Sequence, residues 1–261
     1  MIEKYYSGVI EQIYNRIGKE TRNIVMANYS NDFSIENLEV IRRYQSNEDN
    51  VFFAYSEFSY NTLVGAYEPF LDIICNMHRR FIGGSFDDFQ KECGVYYLHR
   101  QVLNSYYETG ECFREETVLL NEVAYEQRRM TMAIADMLKK LSEVKPLMIV
   151  INRFQMASKS SIETIKYLID NPCANIGIVL GVNAIVKGTD STVEVWDRIV
   201  DSLEDRSAIY YIGSAGPLKN NVKTTNDDEL YITMNFEQSI QEASNIMAVS
   251  YTHLTLPTIR L

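Results

Sequence analysis

One stretch, Pro146 to Leu168, constrains the fold of this chain more than any other. It opens with five consecutive apolar residues, Leu147 to Ile151. A run without polar interruption suits a strand buried on both faces, as in a parallel sheet covered by helices. A polar turn follows from Asn152 to Ser161, and then Ile162, Ile165, Leu168 and Ile169 recur at helical spacing. The stretch therefore reads as strand, loop and helix. In open α/β sheets, the loop at the carboxyl end of such a strand is where ligands sit.

The same alternation runs through the rest of the chain. Asn23 to Ala27, Asn50 to Tyr55, Asn175 to Asn183 and Ser207 to Ile212 are further short apolar runs that read as strands. Helical patterns separate them. Val9, Ile10, Ile13, Tyr14 and Ile17 share one face of a helix that Gly18 can end. Ser34 is a candidate N-cap for a helix whose stripe is Leu38, Ile41 and Tyr44. Tyr67 to Phe81 reads as a helix, Phe86 to Tyr107 as irregularly helical, Phe113 to Val144 as a long helix, and Val193 to Leu203 as the last before the fifth strand. This order predicts an α/β fold with a doubly wound, mostly parallel five-stranded sheet and helices on both faces.

The Pro146–Leu168 stretch also resembles the second nucleotide motif (Walker B) of the STAND branch of AAA-type P-loop ATPases, the signalling ATPase modules of large bacterial regulators. Gln155 and Ala157 fall on that motif's Gln and Ala, and Ser161-Ile-Glu163 and Lys166-Tyr-Leu168 fall on its helix pattern. Tyr67-Glu-Pro-Phe-Leu-Asp-Ile-Ile74 resembles an aromatic segment that the family carries after its second strand, with Pro69 in the first helical turn. The departures lie at the chemistry. Asn152 and Arg153 stand at the two acidic positions, Met156 replaces a Trp and Ser158 an Asp. In a P-loop ATPase an acid here holds magnesium and a neighbour positions the attacking water. Asn152 is neutral, and Arg153 puts a positive charge where a cation belongs.

The first nucleotide motif is missing as well. A P-loop needs glycines, so that backbone N–H groups can wrap the phosphates, and a lysine to neutralise them. The loop after the first strand, Asn28-Tyr-Ser-Asn-Asp-Phe33, has neither. Asp32 would repel phosphate, although the following helix N-terminus offers a generic anion site. Asn183 falls where the family places a sensor of the γ-phosphate. The resemblance thus implies that, if any nucleotide binding is retained, Ser30, Asn31, Ser34, Asn152 and Asn183 line the site. No catalytic residue and no metal ligand is assigned, and no cofactor is expected; ATP with magnesium is the one the family would imply.

Composition narrows the remaining classes. The chain has 261 residues and a net charge of −10, which argues against a general nucleic-acid surface. No apolar run approaches transmembrane length, and the polar start Ile2-Glu-Lys-Tyr-Tyr6 does not read as a secretory signal. Cys75, Cys93, Cys112 and Cys173 form no CxxC pair and read as reduced thiols of a cytoplasmic protein. His78 and His99 are far apart, without partners at metal-ligand spacing, and read as surface or packing residues. The tyrosines and the methionines between Phe113 and Val144 read as packing, and Arg128-Arg129 as a solvated face. Val249 to Thr258 resembles the translated read-through of a sequencing-library adapter. On that reading the natural chain is interrupted near Ala248.

The resulting organisation is a P-loop NTPase-like domain over 1–215, the start of a helical lid domain over 216–248, and an adapter-derived tail over 249–261. The expected function is a regulatory or scaffolding module without ATPase activity in a cytoplasmic bacterial signalling protein. Its partners would be domains of the same chain beyond residue 248, other proteins or a second copy, with no direct nucleic-acid or membrane contact. The family resemblance implies a DNA-binding or diguanylate cyclase effector downstream. A divergent ATPase using Asp32 or Glu57 is the alternative, and a plain interaction domain, with a sheet order unlike that of P-loop folds, is a third.

Overall fold

The computed structural model describes residues 2–29, 38–46, 50–59, 64–111, 123–183 and 190–213. Five strands form one sheet: β1 (Ile24–Tyr29), β2 (Phe52–Glu57), β3 (Leu147–Asn152), β4 (Ile176–Asn183) and β5 (Ile209–Ile212). Their spatial order is β2-β3-β4-β1-β5, and every neighbouring pair is parallel. The described α-helices are α1 (Ile2–Arg16), α2 (Glu39–Ser46), α3 (Phe70–Met77, continued by a π-helical turn over His78–Ile82), α4 (Phe86–Glu92), α5 (Tyr97–Thr109), α6 (Val123–Val144), α7 (Lys159–Asp170) and α8 (Asp190–Asp205). The fold is the doubly wound α/β sheet that the sequence predicts.

The two faces follow from the alternation of side chains along each strand. In β3, Leu147, Ile149 and Ile151 join the core beneath α3, α6, α7 and α8, while Met148 and Val150 join the core beneath α1 and α2. None of these five side chains is exposed. A strand with both faces buried gains about 1.5–3 kcal/mol from each large side chain, which is why its sequence is apolar without interruption. On the other face α1 packs across β4, β1 and β5, and α2 packs on β2. Gly18, the residue expected to end α1, has φ 78° and donates its N–H to the carbonyl of Ala174 at 2.8 Å.

Several local expectations change. Asn28 and Tyr29, expected in the loop, belong to β1. Pro69 does not sit in the first helical turn but at the N-cap, and α3 starts at Phe70. Ser160 Oγ accepts from the N–H of Tyr67 at 3.0 Å, and Ser161 Oγ donates to the carbonyl of Glu68 at 2.6 Å, so the start of α7 fixes this turn. The helical stretch expected over Phe86 to Tyr107 is two helices, α4 and α5. Gly94 breaks it in a left-handed conformation (φ 71°) that side chains resist. Phe113 to Val144 is described as helix from Val123 onward.

Neither His78 nor His99 lies at the surface, so of the two expectations packing holds. His78 is buried among Phe86, Phe89 and Tyr107, with Nδ1 3.2 Å from the Tyr107 hydroxyl. His99 Nε2 lies 2.7 Å from Glu126 Oε2, which joins α5 to α6. Arg129 is not simply solvated: its guanidinium stacks on Tyr96 at 3.9 Å. Cys75, Cys93 and Cys173 are thiols outside any disulfide, and burial pushes the Cys93 thiol up to about 11. No described helix is long and apolar enough to cross a membrane. The expected lid segment over 216–248 and the tail over 249–261 lie outside the described residues.

Candidate functional site

The connectivity selects one edge of the sheet. From β1 the chain crosses three positions to β2, with α2 on one face; from β4 it crosses over β1 to β5, with α8 on the other. The connections leaving the neighbouring strands β1 and β4 therefore diverge to opposite faces. Such a divergence at the carboxyl ends of parallel strands opens a crevice between them. Of the residues assigned to this crevice from sequence, Ser30, Asn31 and Ser34 lie outside the described residues, as does Asp32. Asn152 and Asn183 are described, and so is Glu57.

Asn152 ends β3 and has no exposed surface. Its Oδ1 accepts a hydrogen bond from the Tyr29 hydroxyl at 2.7 Å. The bond reaches from β1 to β3 across β4, which lies between them in the sheet. It fits because β4 carries Gly181 at the crossing. A Cβ there would stand 2.4 Å from Tyr6 Oη and 2.8 Å from Asn152 Oδ1. Asn152 is thus a buried tie beneath the crevice. Burial, and then the neighbouring Tyr29, Tyr55 and Glu57, raise the Tyr6 phenol well above its ordinary range. Tyr6, Tyr29, Tyr55, Glu57 and Asn152 therefore form one polar cluster on the α1 face.

Arg153 is the next residue and has left-handed backbone, φ 55°. This single residue turns the end of β3 into a short 3₁₀ turn, Phe154–Met156, anchored by the wholly buried Phe154 against Trp196 with ring centroids 5.9 Å apart. The Arg153 guanidinium lies 2.9 Å from Glu57 Oε1 and donates to the carbonyl of Phe58 at 3.3 Å. Glu57 also accepts from the Tyr55 hydroxyl. The two charged side chains are 20% and 16% exposed, so the pair is largely shielded. The charge that the sequence places at the motif position is therefore cancelled by an acid from the neighbouring strand, with which Asn152 itself is in register.

Asn183 ends β4 opposite Tyr29 and is half-buried. Its N–H donates to Gln155 Oε1 at 3.4 Å, which links the turn after β3 to the end of β4. Asn152, Arg153, Gln155, Asn183 and Glu57 thus come together at one edge. Tyr6, Tyr29 and Tyr55 are the members of this edge that the sequence does not single out, since tyrosines without a repeat period read as packing residues. The available signal is position: Tyr29 is the last residue of β1, and Tyr55 lies two residues before the end of β2. Among the described residues, no three His, Cys, Asp or Glu side chains converge as a metal set. No family model matches the chain, and no curated protein matches it significantly.

Proposed function

We propose that this chain is a degenerate P-loop NTPase-like module of the STAND type, serving as a regulatory scaffold in a cytoplasmic bacterial signalling protein and turning over no ATP. The observation that carries the reading is the Arg153–Glu57 ion pair at the second motif. A magnesium site there needs oxygen donors of negative charge. This chain offers a guanidinium already matched by one carboxylate, and an Asn152 oxygen turned beneath the edge toward Tyr29. These residues do not fit a magnesium–nucleotide complex. The strand order supports descent from a P-loop fold, since β4, which carries the sensor position Asn183, separates the two motif strands β1 and β3. A binding role toward other domains or proteins is what such a scaffold retains when the chemistry is gone.

The experiment is calorimetric titration of ATP with magnesium into the full chain, alongside a phosphate-release assay. The expected outcome is no measurable heat of binding and no release. Tight magnesium-dependent ATP binding would overturn the reading. The alternative, an ATPase using Glu57, requires that carboxylate to leave Arg153; release that disappears in Glu57→Ala would favour it.

A further inference from the structure

The opposite edge of the sheet holds a cavity of about 230 Å³, between the amino ends of β1 and β5 and the last turns of α1, α7 and α8. Three guanidinium groups line it. Arg16 comes from the end of α1, Arg22 from the connection into β1, and Arg206 from the connection into β5. The one carboxylate among the lining residues is Glu20, 3.6 Å from Arg16. The wall behind them is apolar, formed by the buried Leu168, Ile169 and Leu203. A surplus of positive charge in a concave site stands out on a chain whose net charge is −10.

Helix capping explains part of this surplus. The carbonyl ends of α1, α7 and α8 converge here and favour cations. Arg206 meets that need directly, donating to the carbonyl of Ile169 at 2.8 Å. Arg16 shares its charge with Glu20. Arg22 does neither: it is exposed, and among the described residues it makes no ion pair and no hydrogen bond to a helix carbonyl.

We propose that this cavity binds a small organic anion, a carboxylate or phosphate monoester carried on an apolar body, with Arg22 and Arg206 holding the anionic group. Guanidinium forks match the oxygens of both groups, and the apolar wall receives the body. A cavity of this volume lies below the usual range for drug-sized sites, which restricts the ligand to a compact one. Because the site spans the connections into β1 and β5, its occupancy ties together the two strands that end at the far, motif-bearing side. The site is separate from the nucleotide question and stands or falls independently of it.

The test is calorimetric titration of benzoate, phenyl phosphate and inorganic phosphate into the full chain and into its Arg22→Ala and Arg206→Lys variants. Arg22 is exposed, so Arg22→Ala is expected to keep the wild-type melting temperature. The expected result is one-to-one binding of benzoate or phenyl phosphate, tighter than inorganic phosphate and weakened about tenfold by Arg22→Ala. Which of the two binds identifies the anionic group. No one-to-one binding of either aromatic anion would overturn the proposal, as would equal affinity in wild type and Arg22→Ala. Inorganic phosphate binding as tightly as phenyl phosphate would overturn the role of the apolar wall.

Discussion

At the scale of single residues, the decisive feature is a charge that changes its meaning once the chain folds. In sequence Arg153 is a cation where the motif it resembles carries an acid; in the fold it is half of a shielded pair with Glu57. Exposed pairs contribute about 0–1 kcal/mol, while breaking a fully buried one costs about 3–5 kcal/mol. At 20% and 16% exposure this pair belongs between those limits. Arg153→Ala is therefore expected to destabilise by about 2 kcal/mol, because Glu57 is left shielded without its cation. Combining it with Glu57→Gln recovers part of the loss, and urea unfolding of the four proteins gives the coupling directly. A coupling near zero would mean that the pair does not hold the turn. His78 carries a second prediction. Burial, and then the neighbouring Arg79, lower its imidazole below the ordinary value. The unfolded chain therefore takes up a proton near pH 6.5, where the folded chain does not. This contribution is intact above that pH and is lost as the pH falls toward the lowered folded value. Urea midpoints measured on either side of the ordinary imidazole value are expected to drop more on acidification in wild type than in His78→Phe.

At the scale of elements, the seating of α1 on β4 depends on two glycines that face it. A Cβ on Gly177 would stand 2.8 Å from Ile17 Cδ1 and 2.9 Å from Ile13 Cγ2. One on Gly181 would meet Tyr6 and Asn152 as described above. Neither site has spare volume, since Ile13 and Tyr6 are wholly buried. Gly177→Ala and Gly181→Ala are each expected to destabilise by about 1–3 kcal/mol, the usual cost of overfilling a packed core. Gly181→Ala is expected to carry the larger penalty, because it also separates polar atoms that have no water to turn to. Thermal unfolding of the two variants checks the order; equal or negligible losses would mean that α1 can lift without disturbing the tie. The sequence shows the strands here because both faces of β3 and β4 are buried, which forces apolar runs. It does not show the tie, because Tyr29 and Asn152 are 123 residues apart and only the sheet order brings them together. The split between α4 and α5 had a local signal in Gly94, but the irregular pattern around it masked the break.

At the scale of the whole molecule, a parallel sheet wound in both directions leaves one crevice at its carboxyl edge. The fold class was legible because it rests on the periodicity of long segments, which tolerates changes at single positions. The site was legible only in part: Asn152 and Arg153 stand where the resembled motif carries acids, but the partner that neutralises Arg153 comes from another strand. This contrast yields a measurement on the intact chain. A ligand that binds only the folded state stabilises it by about 2.7 kcal/mol at one hundred times its dissociation constant. For a domain of this size that shift raises the melting temperature by about 5–11 °C. Among the described residues of the crevice, the Arg153 cation is matched by the Glu57 carboxylate, which leaves no surplus charge there to hold a triphosphate and no unmatched acid to hold the metal that would accompany it. The melting temperature of the wild-type chain is therefore expected to be the same with and without saturating ATP and magnesium. A rise of several degrees in wild type that needs magnesium would mean that the chain binds a magnesium nucleotide and that the proposed loss of that chemistry is wrong.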